Sequence, residues 1–165
     1  MTTMSERVPD VIGEMIGWRA WQLVGSVRVP RLMSINAAGR VGHDDAIWPT
    51  KRWYTAKCPN GHIENIPVEG CSCGLYAAKT REHLVSLRYG AYGDQAIHAI
   101  GEVAFKGKVI EGSQGWKAEY GRIKRLIVPY EFWKYVDPLA DAYNVPVEVG
   151  FLFSEAERRQ VLGGR

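Results

Sequence analysis

Three cysteines and one histidine fall within sixteen residues of this chain, as Cys58-Pro59-Asn60-Gly61-His62, eight further residues, and Cys71-Ser72-Cys73-Gly74. No other cysteine occurs among the 165 residues. The cluster constrains the fold more than any other feature, because four donors that close on one ion pin a loop at four points. A thiolate-rich set with a single imidazole suits the borderline-soft Zn²⁺, for which Cys₃His is an ordinary closed tetrahedral structural site. The turn-forming Pro59, Asn60 and Gly61 let the chain double back and aim Cys58 and His62 at one point. Cys71-Ser72-Cys73 is a tighter bite than the common C-x₂-C, and Gly70 and Gly74 are expected to supply the backbone angles it needs. An odd number of cysteines argues against disulfide pairing. The expected ligands are therefore Cys58, His62, Cys71 and Cys73, holding a structural Zn²⁺.

Length and composition fit one domain over 1–165, with 46 % hydrophobic residues to form a core. Residues 1–10 are expected to be flexible, and 129–165 to form a helical and edge-strand region packed on a sheet. Glu14 and Arg19 interrupt the most apolar N-terminal stretch, so no run approaches the ~20 residues that span a bilayer. Met1 to Pro9 lacks the basic-then-apolar pattern of a signal peptide, so a cytoplasmic location with free thiols and no membrane partner is expected.

The net charge of +3 is unevenly spread. Between His98 and Val128, six cations (Lys106, Lys108, Lys117, Arg122, Lys124 and Arg125) stand against Glu102, Glu111 and Glu119, so the whole excess lies in that segment. Pro129 to Glu157 is the reverse, with six acids against Lys134 alone. A basic and an acidic region are thus available to partners or to each other.

Hydrophobic periodicity places the elements. Ile16 to Val29 is rich in β-branched and aromatic residues and reads as a strand pair bent near Gly25-Ser26, with Arg31 to Pro49 as loop. Trp53 and Tyr54 lead into the metal loop, and Gly74 to Ala78 enters the core after it. Thr80 is the expected N-cap of a helix carrying Leu84 and Leu87 and stopped by Gly90. From Ile97 to Val128, Val103, Phe105, Gly107 and Val109 alternate with Ala104, Lys106 and Lys108, turn at Gly112 to Gly115, and return through Trp116, Ala118 and Tyr120 alternating with Lys117 and Glu119. This is a hairpin with one buried and one wet face, on which Lys106, Lys108 and Lys117 are expected together. Glu131 to Tyr143 has helical spacing, which Pro138 is expected to end or kink. Val145 to Val149, with Pro146, reads as an edge strand, and Ser154 to Glu157 as the capping box of a last helix.

Catalytic constellations are weak. His62-Ile63-Glu64 with Cys71-Ser72-Cys73 is similar to the zinc nucleobase deaminases, but the halves are too close for separate helices and the second lacks the P-C-x-x-C form. Cys58 also supplies a fourth ligand where a reactive water would bind. His43-Asp44-Asp45 reads as a solvated loop, and Gly90 to Gly93 lacks the ending of a phosphate loop. No catalytic residue is assigned.

Several segments carry a resemblance: Gly17 to Trp21 (G-W-R-A-W), Trp48-Pro49, the Cys71 to Ala77 stretch C-S-C-G-L-Y-A, Gly101 to Val109, and Gly115 to Tyr120 (G-W-K-A-E-Y). Over residues 11–128 the chain resembles a family of small proteins of actinobacteria and their phages. The resemblance implies that the cysteines and histidine act as one unit, and implies host cytoplasm as the location if the protein is phage-encoded. It brings no activity with it.

The fold expected is α+β, a twisted antiparallel sheet or partly closed barrel with short helices and a zinc-stapled loop. The function expected is a non-catalytic regulatory or accessory binding module. Nucleic acid is the preferred ligand, bound by Lys106, Lys108, Lys117, Arg122, Lys124 and Arg125, since clustered cations beside aromatics attract backbone and stack bases. The alternative is a protein-interaction adaptor acting on a host protein, and the third reading a zinc-dependent enzyme of deaminase or hydrolase type.

Overall fold

The computed structural model describes residues 13–35, 46–86 and 97–152. In chain order these form β1 (Met15–Gly25), β2 (Pro30–Ser34), β3 (Tyr54–Thr55), β4 (Leu75–Ala78), α1 (Arg81–Ser86), β5 (Ala99–Glu111), β6 (Gly115–Val128), a 3-10 segment (Tyr130–Tyr135), α2 (Val136–Tyr143) and β7 (Val147–Val149). The architecture is α+β, with seven strands in one mixed sheet. The expected hairpin is β5 and β6. β1 pairs with β5 from Met15 to Trp21, β5 with β6, β6 with β4, and β4 returns to β1 at Trp18 opposite Ala78. Four strands therefore close a partial barrel. Small residues make that closure possible, since a Cβ on Gly17 would stand 2.7 Å from the Cβ of Ala77.

The bend near Gly25-Ser26 is the β1–β2 turn, but the return strand begins at Pro30 rather than ending there, so part of the expected Arg31 to Pro49 loop is strand. Proline is tolerated as the first residue of an edge strand, where no ladder donor is needed. The sheet is not wholly antiparallel either. β7 runs parallel to β6, because the 3-10 segment and α2 carry the chain back so that Val147–Val149 lie beside Leu126 to Val128, the last residues of β6. Pro138 does not end a helix. It is the third residue of α2, in the first turn, where the missing N–H has no intrahelical partner to lose. Thr80 caps α1 as expected, its Oγ1 accepting from the His83 amide at 3.1 Å. Leu87, Gly90, the His43 cluster and the Ser154 capping box lie outside the described residues.

The core lies inside the curled sheet, around Trp21, Leu32, Trp48, Phe105, Leu126 and Leu139. A second cluster of Ala20, Ala78, Leu84, Ile100 and Ile127 covers the opposite face under α1. Both faces of β5 are consequently buried near its start. Ala104, expected on a wet face, is fully buried, because its short side chain sits between Ile16 and Arg122 on the flanking strands. Among the described residues no helix is long and apolar enough to cross a membrane.

Candidate metal centre

The loop between β3 and β4 is built from two turns that face one another. In the first, Gly61 N–H donates to the Cys58 carbonyl at 3.4 Å, and Asn60 N–H points at the Cys58 sulfur at 3.4 Å. In the second, Cys71 N–H donates to the Val68 carbonyl at 3.0 Å, and Val68 N–H reaches the Cys73 sulfur at 3.2 Å. Gly70 and Gly74 take positive φ of 77° and 117°, as the short bite requires, and a Cβ on Gly74 would meet Pro67 at 2.9 Å. The result brings Cys58, His62, Cys71 and Cys73 together, with one ligand atom from each lying within 4.8 Å of the others.

Cys58 Sγ lies 3.6 Å from Cys71 Sγ and 3.1 Å from His62 Nδ1, and none of the three cysteines is in a disulfide. Metal–sulfur bonds of about 2.3 Å in a tetrahedron place the sulfurs about 3.8 Å apart, so the arrangement needs little adjustment to hold an ion. The electrostatics also favour a cation. The Asn60 side-chain amide, 3.3 Å from Cys71 Sγ, is the leading influence that holds the Cys71 thiol at about 6. Desolvation opposes the Cys58 thiolate, yet the backbone amides of His62 and Asn60 outweigh it and keep the thiol below its ordinary value. Burial pushes Cys73 up, and the Cys58 sulfur beside His62 raises the imidazole. Low-lying thiolates next to a histidine are a donor set that a divalent cation neutralises. Four donors is the number that a tetrahedral ion takes.

The six basic residues do not form one surface. A bulge at Gly107–Lys108 shifts the register, so Lys106 faces Tyr120 whereas Lys117 faces Ile110, and strand alternation puts Tyr120 and Lys117 on opposite sides of β6. The expectation that Lys106, Lys108 and Lys117 share one solvent face is corrected by that bulge. Lys108 Nζ donates to the Asn65 carbonyl at 3.1 Å and Lys117 Nζ to the Cys71 carbonyl at 3.0 Å, so both brace the metal loop. Arg125 pairs with Glu148 of β7. Arg122 and Lys124 each lie 3.8 Å from Glu14. Lys106 Nζ sits 4.1 Å from the ring centroid of Trp53, with the Arg122 guanidinium 5.0 Å from the same ring.

The lysine brace has a measurable consequence. Lys117→Met removes a charge-assisted hydrogen bond from the carbonyl of a ligand residue, worth about 1.5 kcal/mol. Competition with a chromophoric chelator should show metal affinity about tenfold weaker. An unchanged affinity would mean that the loop holds its shape without the lysine.

Trp53, on whose ring Lys106 and Arg122 converge, was passed over by sequence reasoning, which placed it only on the way into the metal loop. A signal was present, since Ala46 to Lys57 carries Lys51, Arg52 and Lys57 with no acid among them. Compared with protein-family models, curated proteins and solved structures, the chain matches none.

Proposed function

We propose that this protein is a non-catalytic nucleic-acid-binding module whose binding surface is held in place by a zinc-stapled loop. Zinc is the ion that three thiolates and one imidazole in a closed shell suit best. Four protein donors leave no coordination position for a reacting water, which supports a structural role over hydrolysis or deamination. The observation that carries the nucleic-acid reading is the gathering of Lys106 and Arg122 on Trp53, which sets cations and an aromatic ring side by side.

Fluorescence anisotropy with labelled mixed-sequence oligonucleotides tests it. Affinity should fall steeply as salt rises, and Lys106→Gln with Arg122→Gln should weaken binding across sequences while leaving zinc content unchanged. No binding to single or double strands at low salt would overturn the reading. In that event the protein-adaptor alternative gains, because Tyr130 (77 % exposed), Trp133 (55 %) and Phe151 (79 %) lie in the acidic C-terminal region. A single host protein recovered on the intact chain and lost in Trp133→Ala would establish it.

A further inference from the structure

Residues 46–57 fold against Arg31 of β2 around a cleft of about 830 Å³ that Arg31, Lys51, Arg52, Trp53, Tyr54 and Lys57 help to line. Among the described residues, every charged residue of the lining is a cation. One wall is rigid: Trp48 is buried, its ring stacked on Tyr54 at 5.0 Å and 11° and set edge-on to Trp21 at 5.6 Å. Trp53 joins this cleft to Lys106 and Arg122, which add charge at its margin. The far end is tied down as well, since Ala56 N–H donates to the Glu119 carbonyl at 2.8 Å and Cys58 of the metal set follows directly.

We propose that this cleft binds the phosphate backbone of a single-stranded nucleic acid. The inference rests on the nucleic-acid reading above and narrows it to a place and a ligand form. Cations uninterrupted by acids concentrate polyanions. Four of them, spread from Arg31 to Lys57, exceed what one phosphate needs and suit a run of phosphates. Aromatic residues between Arg52 and Lys57 offer ring surface beside the backbone track, the combination by which sequence-tolerant single-strand binders work. The cleft's volume is that of a small-ligand site. Ring surface beside the cations is of use to a single strand, whose unpaired bases are free to stack on it, and of none to a duplex, whose bases are already stacked on one another.

The test uses the zinc-loaded full chain and a short mixed-sequence DNA strand, alone and as its duplex. Each phosphate neutralised on a single strand contributes about −0.7 to the slope of log affinity against log salt, so affinity should fall steeply as salt rises. Lys51→Gln with Arg52→Gln should flatten that slope by about 1.4 and weaken single-strand affinity at least about tenfold, with zinc content and melting temperature unchanged. Lys134→Gln, an exposed cation over Trp133, should change nothing. If the double variant binds the strand as the parent does while Lys106→Gln with Arg122→Gln weakens it, the cleft assignment falls and the nucleic-acid reading stands. Equal affinity for strand and duplex, or displacement of the strand by an equal concentration of adenosine monophosphate, also overturns the single-strand assignment. Absence of binding to any oligonucleotide overturns both.

Discussion

Purified protein is expected to contain one zinc ion per chain, and removing it should cost more stability than any surface substitution. Beyond the Lys108 and Lys117 braces, the loop from Cys58 to Cys73 has little to hold it: Ile63 is 89 % exposed, and apart from the cysteines its apolar packing comes from Ile66, Pro67 and Val68. For such a loop the energy of metal binding is largely the energy of ordering it. Cys73→Ser removes a ligand and leaves a hydroxyl at a position only 2 % exposed. We expect a loss of about 3 kcal/mol, or roughly 6–12 °C in melting temperature for a chain of this size. Acid should produce a related loss. Without an ion the folded loop holds the Cys71 thiol at about 6, below the ordinary 9.0, so in metal-free protein the thiolate favours the folded form and that contribution is lost as the pH falls through about 6. A bound ion holds the thiolates to lower pH, so the zinc-loaded protein should resist acid further than the metal-free one. Elemental analysis showing no zinc, or Cys73→Ser melting with the parent at full occupancy, would refute the assignment.

The cysteine–histidine cluster was legible because its chemistry is local. All four candidate ligands fall in sixteen residues, and the proline, asparagine and glycines that turn the chain stand between or beside them. The β5–β6 hairpin was legible for the same reason, its alternation and turn being written in one continuous stretch. The fate of the lysines was not. Gly107 fits the alternating pattern as read along one strand, and the bulge exists only in the pairing of two. The acceptors of Lys108 and Lys117 are backbone carbonyls 43 and 46 residues away, and a carbonyl has no signature in the sequence. Pro138 was misplaced by the same limit. A proline in the first turn and a proline at a helix end look alike until the start of the helix is known, and that start is set here by the kink at Phe132 and the docking of Leu139 in the core.

Tyr143→Phe is expected to be the most destabilising change of a single atom outside the metal centre. The Tyr143 hydroxyl accepts from the Leu32 amide at 2.8 Å and donates to the Trp48 carbonyl at 3.0 Å, both bonds buried. Trp48 N–H in turn donates to the Leu32 carbonyl at 2.8 Å, so one hydroxyl closes a link between α2, β2 and the segment that forms the cleft. Phenylalanine keeps the ring packing but strands a buried N–H and a buried C=O, each costing about 1–3 kcal/mol when left without a partner. A combined loss of about 3 kcal/mol lowers the melting temperature by roughly 6–12 °C. Zinc content should stay at one ion, because the metal loop lies outside this link. Tyr130→Phe, at an exposed ring, serves as the control and should melt with the parent. If Tyr143→Phe also melts with the parent, water must replace the hydroxyl between Leu32 and Trp48, and the C-terminal region would not be what holds Trp48 against the sheet.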